Sequence, residues 1–95
     1  MQDHLDLHGF DLAGARTVID RFLKRARGYT CVRIVHGRGT HSQTEPAILK
    51  RAVTTWLSSR RLSHTVIAFA ATRWKDGGSG AVYVFIYGKS PPPAT

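Results

Sequence analysis

Asp6 and His8, in the run Leu5-Asp6-Leu7-His8-Gly9, are the first residues of this sequence with the makings of a catalytic pair. Residues two apart in a strand point to the same face, so Asp6 and His8 project together while Leu5 and Leu7 go to the opposite side. With the leucines on the core, the carboxylate and the imidazole face the open side. A carboxylate there can orient an imidazole and stabilise its cation, which is what a general acid or base needs. The same residues also suit a plainer role, with His8 finishing the strand and Asp6 pairing with a neighbouring arginine.

Two glycine-rich stretches offer sites for an anion. His36-Gly37-Arg38-Gly39 follows an apolar run and leads toward a helix start. There the glycines let backbone amides approach an anion, the helix N-terminus adds positive potential, and Arg38 supplies a guanidinium fork suited to phosphate. No Gly-Lys-Ser/Thr follows, so the stretch is not a P-loop and a nucleotide triphosphatase is not expected. An ordinary turn between strand and helix has a similar composition. Asp76-Gly77-Gly78-Ser79-Gly80 is a second candidate cradle, although alone it reads equally as a hairpin turn. Trp74 before it is placed either to stack on a base or to cover the end of the core.

Tyr83, Phe85 and Tyr87 alternate with Val82, Val84 and Ile86, giving one aromatic and one aliphatic face. On an open sheet the aromatic face would resemble an RNA-stacking platform, whereas packing is the expectation for Phe85. His41 and His64 fall in loops, and no histidine pair with a carboxylate has metal-ligand spacing, so no preformed transition-metal site is expected.

These groups must be held by a small frame. Ninety-five residues suffice for one core and are too few for two. Fourteen Lys and Arg against six Asp and Glu give a net charge of +8, the footprint of a polyanion partner, with nucleic acid the leading candidate and a ribosome or membrane surface sharing that balance. The single cysteine, Cys31, excludes an intrachain disulfide and a multi-cysteine zinc site, which fits a reducing compartment and the expectation of a cytoplasmic protein. No signal-like start and no apolar run of ~18 residues is present, so neither secretion nor membrane insertion is expected. A monomer is the expected state.

Leu5–His8 reads as a strand ending at Gly9. Asp11 can cap a helix whose apolar positions Leu12, Ala15, Val18, Ile19, Phe22, Leu23 and Ala26 recur at helical spacing, with Gly28 as its stop and arginines and lysines on the other face. Cys31–Val35 is the second strand. Ser42 or Thr44 can cap a second helix with Pro46 in its first turn and Ile48, Leu49, Ala52, Val53, Trp56 and Leu57 buried. Val66–Ala71 and Ala81–Tyr87 are the third and fourth strands, joined by a loop too short for a helix and hence antiparallel. The expected architecture is a two-layer α/β sandwich, βαβαββ, with both helices on one face of the sheet. The domain is expected over 5–89, after a short extension at 1–4 and before a Pro-rich tail at 90–95.

LDLHG at 5–9, HGRG at 36–39 and GGSGA at 77–81, in that order with a helix in each long gap, resemble the Smr (small MutS-related) domain, in particular its free-standing bacterial form. The resemblance spans nearly the whole chain. It implies sheet order 1-2-4-3, as in the C-terminal domain of a bacterial translation initiation factor, and endonuclease activity that nicks DNA, branched DNA included, or cleaves RNA. It also implies that Asp6, His8 and His36 are catalytic, and that Gly37, Arg38, Gly39, Gly77, Gly78 and Gly80 bind nucleic acid, with Trp74 added as a stacking candidate.

The expected mechanism has His8 or His36 moving a proton, Asp6 orienting a histidine or recruiting a hydrated metal, and Arg38 stabilising the phosphorane-like transition state. RNA carries its own 2′-hydroxyl nucleophile, whereas DNA needs activated water and brings Mg²⁺ or Mn²⁺ into question as cofactor. The rival readings are a nucleic-acid or ribosome-binding module without chemistry, and a protein adaptor using the aromatic strand face.

Overall fold

The computed structural model describes residues 2–37, 46–73 and 80–87. Strand β1 (His4–Asp6) leads into helix α1 (Leu12–Arg25), then β2 (Cys31–Val35), α2 (Pro46–Leu57), a 3₁₀ turn (Arg60–Leu62), β3 (Val66–Ala71) and β4 (Ala81–Ile86). The sheet order is β1-β2-β4-β3, as the family resemblance implies. β1 and β2 are parallel, and β4 lies antiparallel between β2 and β3.

Local chemistry sets the boundaries. The Asp11 side chain caps α1 by accepting the Gly14 N–H at 2.7 Å. Lys24 and Arg25 in its last turn complement the helix dipole. The chain then passes Gly28 at φ 102°. α2 begins at Pro46, whose missing N–H costs nothing in a first turn. The expected caps Ser42 and Thr44, like the Pro-rich tail, lie outside the described residues. β1 stops at Asp6 rather than His8, and starts one residue earlier, within the stretch expected as an extension. Gln2 belongs to that edge too: its N–H donates to the Cys31 carbonyl at 2.8 Å, and its side-chain oxygen accepts from Thr30 and Cys31.

The core lies between the helices and one sheet face. Ala15, Ile19, Phe22 and Leu23 of α1, and Leu49, Val53 and Leu57 of α2, pack with Val32, Ile34, Val82, Val84 and Ile86. Strand alternation turns Cys31, Arg33, Val35, Tyr83 and Phe85 to the other face. Two expected core residues are not core. Ile48 is 48% exposed because its helical position falls outside the arc facing the sheet, and Phe85 is 39% exposed because the open face has no covering layer. An unforeseen irregularity between Val66 and Ala68 leaves Ile67 exposed on the edge strand, a common way of blunting an edge.

The two phenylalanines make the layering testable. Phe22→Ala is expected to cost about 3–5 kcal/mol by opening a cavity. Phe85→Ala, on the uncovered face, is expected to cost less than about 1 kcal/mol. Urea unfolding of both variants checks this, and equal losses would place Phe85 in the core.

Candidate functional site

The parallel strands end together at one edge of the sheet, and β4 starts there because it runs the opposite way. In open α/β sheets this edge is the usual place for a ligand, since loops leave the strands there and helix N-termini point at it. Asp6, Val35 and Ala81 form one row across it. The paired residues share a face, so Asp6 stands on the open side while Leu7 is fully buried on the other.

The second and third motifs are joined by backbone. The Gly80 carbonyl accepts the His36 N–H at 3.0 Å and the Gly37 N–H at 2.8 Å, using both lone pairs of one oxygen. Gly37 has φ 89°, a left-handed conformation that glycine adopts without a Cβ clash. Arg38, Gly39, Trp74, Gly77 and Gly78 lie outside the described residues.

The first motif is a turn. Asp6 Oδ1 accepts the His8 N–H at 2.9 Å, the Leu7 N–H donates to the Val35 carbonyl at 2.9 Å, and Gly9 at φ 84° reverses the chain. Asp6 therefore orients the backbone carrying His8. Among the described residues no hydrogen bond joins its carboxylate to the His8 ring, which is exposed.

His36 is in a different environment, only 3% exposed and on the helix side of the sheet near Lys50 of α2. Burial holds its imidazole below the usual histidine range; the Gly37 carbonyl opposes this and the Lys50 charge adds to it. Nδ1 lies 3.4 Å from the Gly37 carbonyl, which can only accept, so Nδ1 carries the proton of the neutral ring. Nε2 is then a buried acceptor with no partner among the described residues. Asp6 and His8 thus sit together at the open edge, while the His36 ring lies behind it and its backbone forms the floor.

Several nearby groups were not evident from the sequence. Thr72 and Arg73 follow β3 at the same edge. His4 and Arg33 form the next row on the open face beside Tyr83, which the alternation of β4 already placed there, and the Tyr83 and Phe85 rings are 6.4 Å apart and tilted by 55°. Only strand pairing reveals these neighbours, because they are distant in the chain. Among the described residues no group of three or more His, Cys, Asp or Glu could hold a metal ion, and no helix is long and apolar enough to cross a membrane.

Known proteins share this arrangement. The Smr domain model matches residues 5–87. The sequence is 36% identical over 83 residues to Endonuclease MutS2 of Lactiplantibacillus plantarum, a match covering 85% of this chain and 9% of that protein. The fold is similar to the crystal structure of the Smr domain of Thermus thermophilus MutS2, with TM-score 0.74, 30% identity, and coverage of 90% of this chain and 98% of that one. It is also similar to YdaL, a stand-alone small MutS-related protein from Escherichia coli, with TM-score 0.75, 28% identity, and coverage of 87% and 63%. With the described residues of its three motifs at one sheet edge and the family model spanning all three, the chain belongs to the Smr domain family.

Proposed function

We propose that this domain is an endonuclease that grips nucleic acid mainly through phosphates and cleaves it at the edge carrying Asp6, His8 and Gly37. The observation that carries the proposal is the junction at Gly80, whose carbonyl ties the HGRG and GGSGA motifs together one row from Asp6. The name of the L. plantarum relative supports the activity, and the net charge of +8 supports the substrate class.

In this reading His8, exposed and hydrogen-bonded to Asp6 only through its backbone, moves the proton. Asp6 is a positioning residue that holds the His8 turn. His36 is neutral and fixes the Gly37 turn, and Arg38 meets the phosphate. A hydrated Mg²⁺ or Mn²⁺ takes one or two carboxylates together with waters and substrate phosphates, and the Asp6 oxygen not engaged by the His8 N–H would be its protein ligand in this row. RNA needs no such ion, because it carries its own 2′-hydroxyl nucleophile. Its 2′-oxygen attacks phosphorus and loses a proton, the P–O5′ bond breaks, the 5′-oxygen gains a proton, and a 2′,3′-cyclic phosphate remains. The engagement of Asp6 by a backbone amide also favours a second reading, a binding module without chemistry.

Incubating purified protein with RNA, with DNA of the same sequence and with RNA deoxygenated at the cut position, in chelator, tests the reaction. RNA alone is expected to be cut, leaving a cyclic phosphate. Intact RNA both in chelator and after addition of Mg²⁺ or Mn²⁺ would leave the binding-module reading.

His8→Ala is expected to lower kcat/KM by about 10²- to 10⁴-fold with little change in Tm. Asp6→Ala is expected to lose most activity, whereas Asp6→Asn, whose amide oxygen can still accept the His8 N–H, recovers a large part of it. An Asn variant as inactive as Ala would mean that the charge of Asp6, rather than its hydrogen bond, is required.

The environment of His36 predicts a pH dependence of stability. Its folded-state pKa lies below the unfolded value, so its contribution is present above the ordinary histidine value of about 6.5 and is lost as pH falls toward the folded one. Urea midpoints are expected to drop between about pH 7 and 5 in the wild type, and less steeply in His36→Gln. Parallel profiles for the two proteins would show that His36 is not the titrating group.

A further inference from the structure

At the opposite end of the sheet lies a second concave site, of about 420 Å³, outside all three motifs. Its lining includes Arg21, Lys24, Arg27, Arg61 and His64. The cations come from two elements, α1 with the residues just past it and the 3₁₀ turn after α2. One carboxylate, Asp20, is also in the lining and is already engaged by Arg61 at 2.7 Å. Arg21 and Lys24 are three residues apart on α1, where like charges repel, so their clustering is unfavourable to the isolated helix. The helix dipole explains a cation in the last turn. It does not account for Arg21 and Arg27, which lie outside that turn, while Arg61, held by Asp20, adds a cation from another element to the same hollow.

The position of the hollow gives it a meaning. Tyr87, in its lining, directly follows β4, and Gly80 directly precedes that strand at the candidate cleavage edge. Gly80 and Tyr87 are seven residue steps apart along an extended strand, so the two places are separated by about 23 Å. An A-form RNA stem rises about 2.8 Å per base pair, less than the ~3.4 Å of B-form DNA, so this separation corresponds to about eight base pairs of RNA. We propose that the basic hollow is a second nucleic-acid contact, which holds backbone phosphates about eight base pairs of an RNA stem from the bond at the motif edge. This rests on the nucleic-acid reading above and adds to it a footprint and a second set of contacts.

The test measures binding of labelled RNA hairpins, with stems of about 4 and about 12 base pairs, as a function of salt. The proteins are the wild type, the triple variant Arg21→Ala/Lys24→Ala/Arg27→Ala, and the single reversal Arg27→Glu. The altered side chains are exposed, so Tm is expected to stay within a few degrees, and the single variant gives the answer should the triple one fold poorly. On the long stem the triple variant is expected to bind at least about tenfold more weakly, with a salt slope shallower by about 3, one for each lost phosphate contact. On the short stem, which cannot reach both places, the proteins are expected to bind alike. Wild-type protein that binds neither hairpin would overturn this proposal together with the nucleic-acid reading. Equal affinities and slopes on the long stem would overturn the proposal alone. So would a hollow that takes up tripolyphosphate in the wild type and not in the variants while RNA affinity stays unchanged, since that outcome marks a site for small polyanions.

Discussion

The two hydrogen bonds that converge on the Gly80 carbonyl are possible because β4 runs against β2 through the middle of the sheet. In a purely parallel sheet the start of β4 would lie at the far edge, and the GGSGA stretch would be a strand length away from HGRG. The reversal brings them together and also places Val82, Val84 and Ile86 at the centre of the apolar face, against both helices. The strand that closes the site is therefore the strand that fills the core, and the site inherits the rigidity of that packing.

Two histidines near this edge show how environment divides one residue type into two roles. His8 lies beyond the end of β1, in a turn that the Asp6 carboxylate and Gly9 hold open to solvent. His36, one residue beyond β2, turns toward the helices, where desolvation favours the neutral ring and Lys50 discourages a second positive charge. A buried neutral imidazole with one nitrogen near the Gly37 carbonyl stiffens the turn. The exposed ring of His8 instead faces the open edge, where the proposed reaction needs it.

The distribution of charge follows the same economy. The apolar face takes nearly all the aliphatic side chains, and the basic residues lie on the outer surface of α1, around the 3₁₀ turn and along the open face of the sheet. Asp20–Arg61 is a salt bridge among the described residues, and exposed pairs of this kind contribute little to stability. With six Asp and Glu against fourteen Lys and Arg, a net charge of +8 remains that the chain's own carboxylates cannot neutralise. Self-repulsion of this size is a standing cost that an apolar core of this extent can carry.

Much of the frame was legible from local pattern. The 3.6-residue period from Leu12 to Ala26, the Asp11 cap, the Pro46 start and the alternation in β4 each follow from short-range sterics and hydrogen bonding, and the structure places those elements where the pattern does. The spacing of the motifs identified the family, and through it the sheet order. What the sequence by itself determined was which residues are apolar at which period, and hence the elements and their inward faces. Tertiary structure alone decided what lies beside what: that Phe85 is uncovered, that the Asp6 carboxylate meets a backbone amide instead of a ring, that His36 is buried, and that Arg61 joins Arg21 and Lys24 at the far end. Those outcomes depend on strand pairing and layer order, which bring together groups far apart in the chain, and no local period encodes such neighbours.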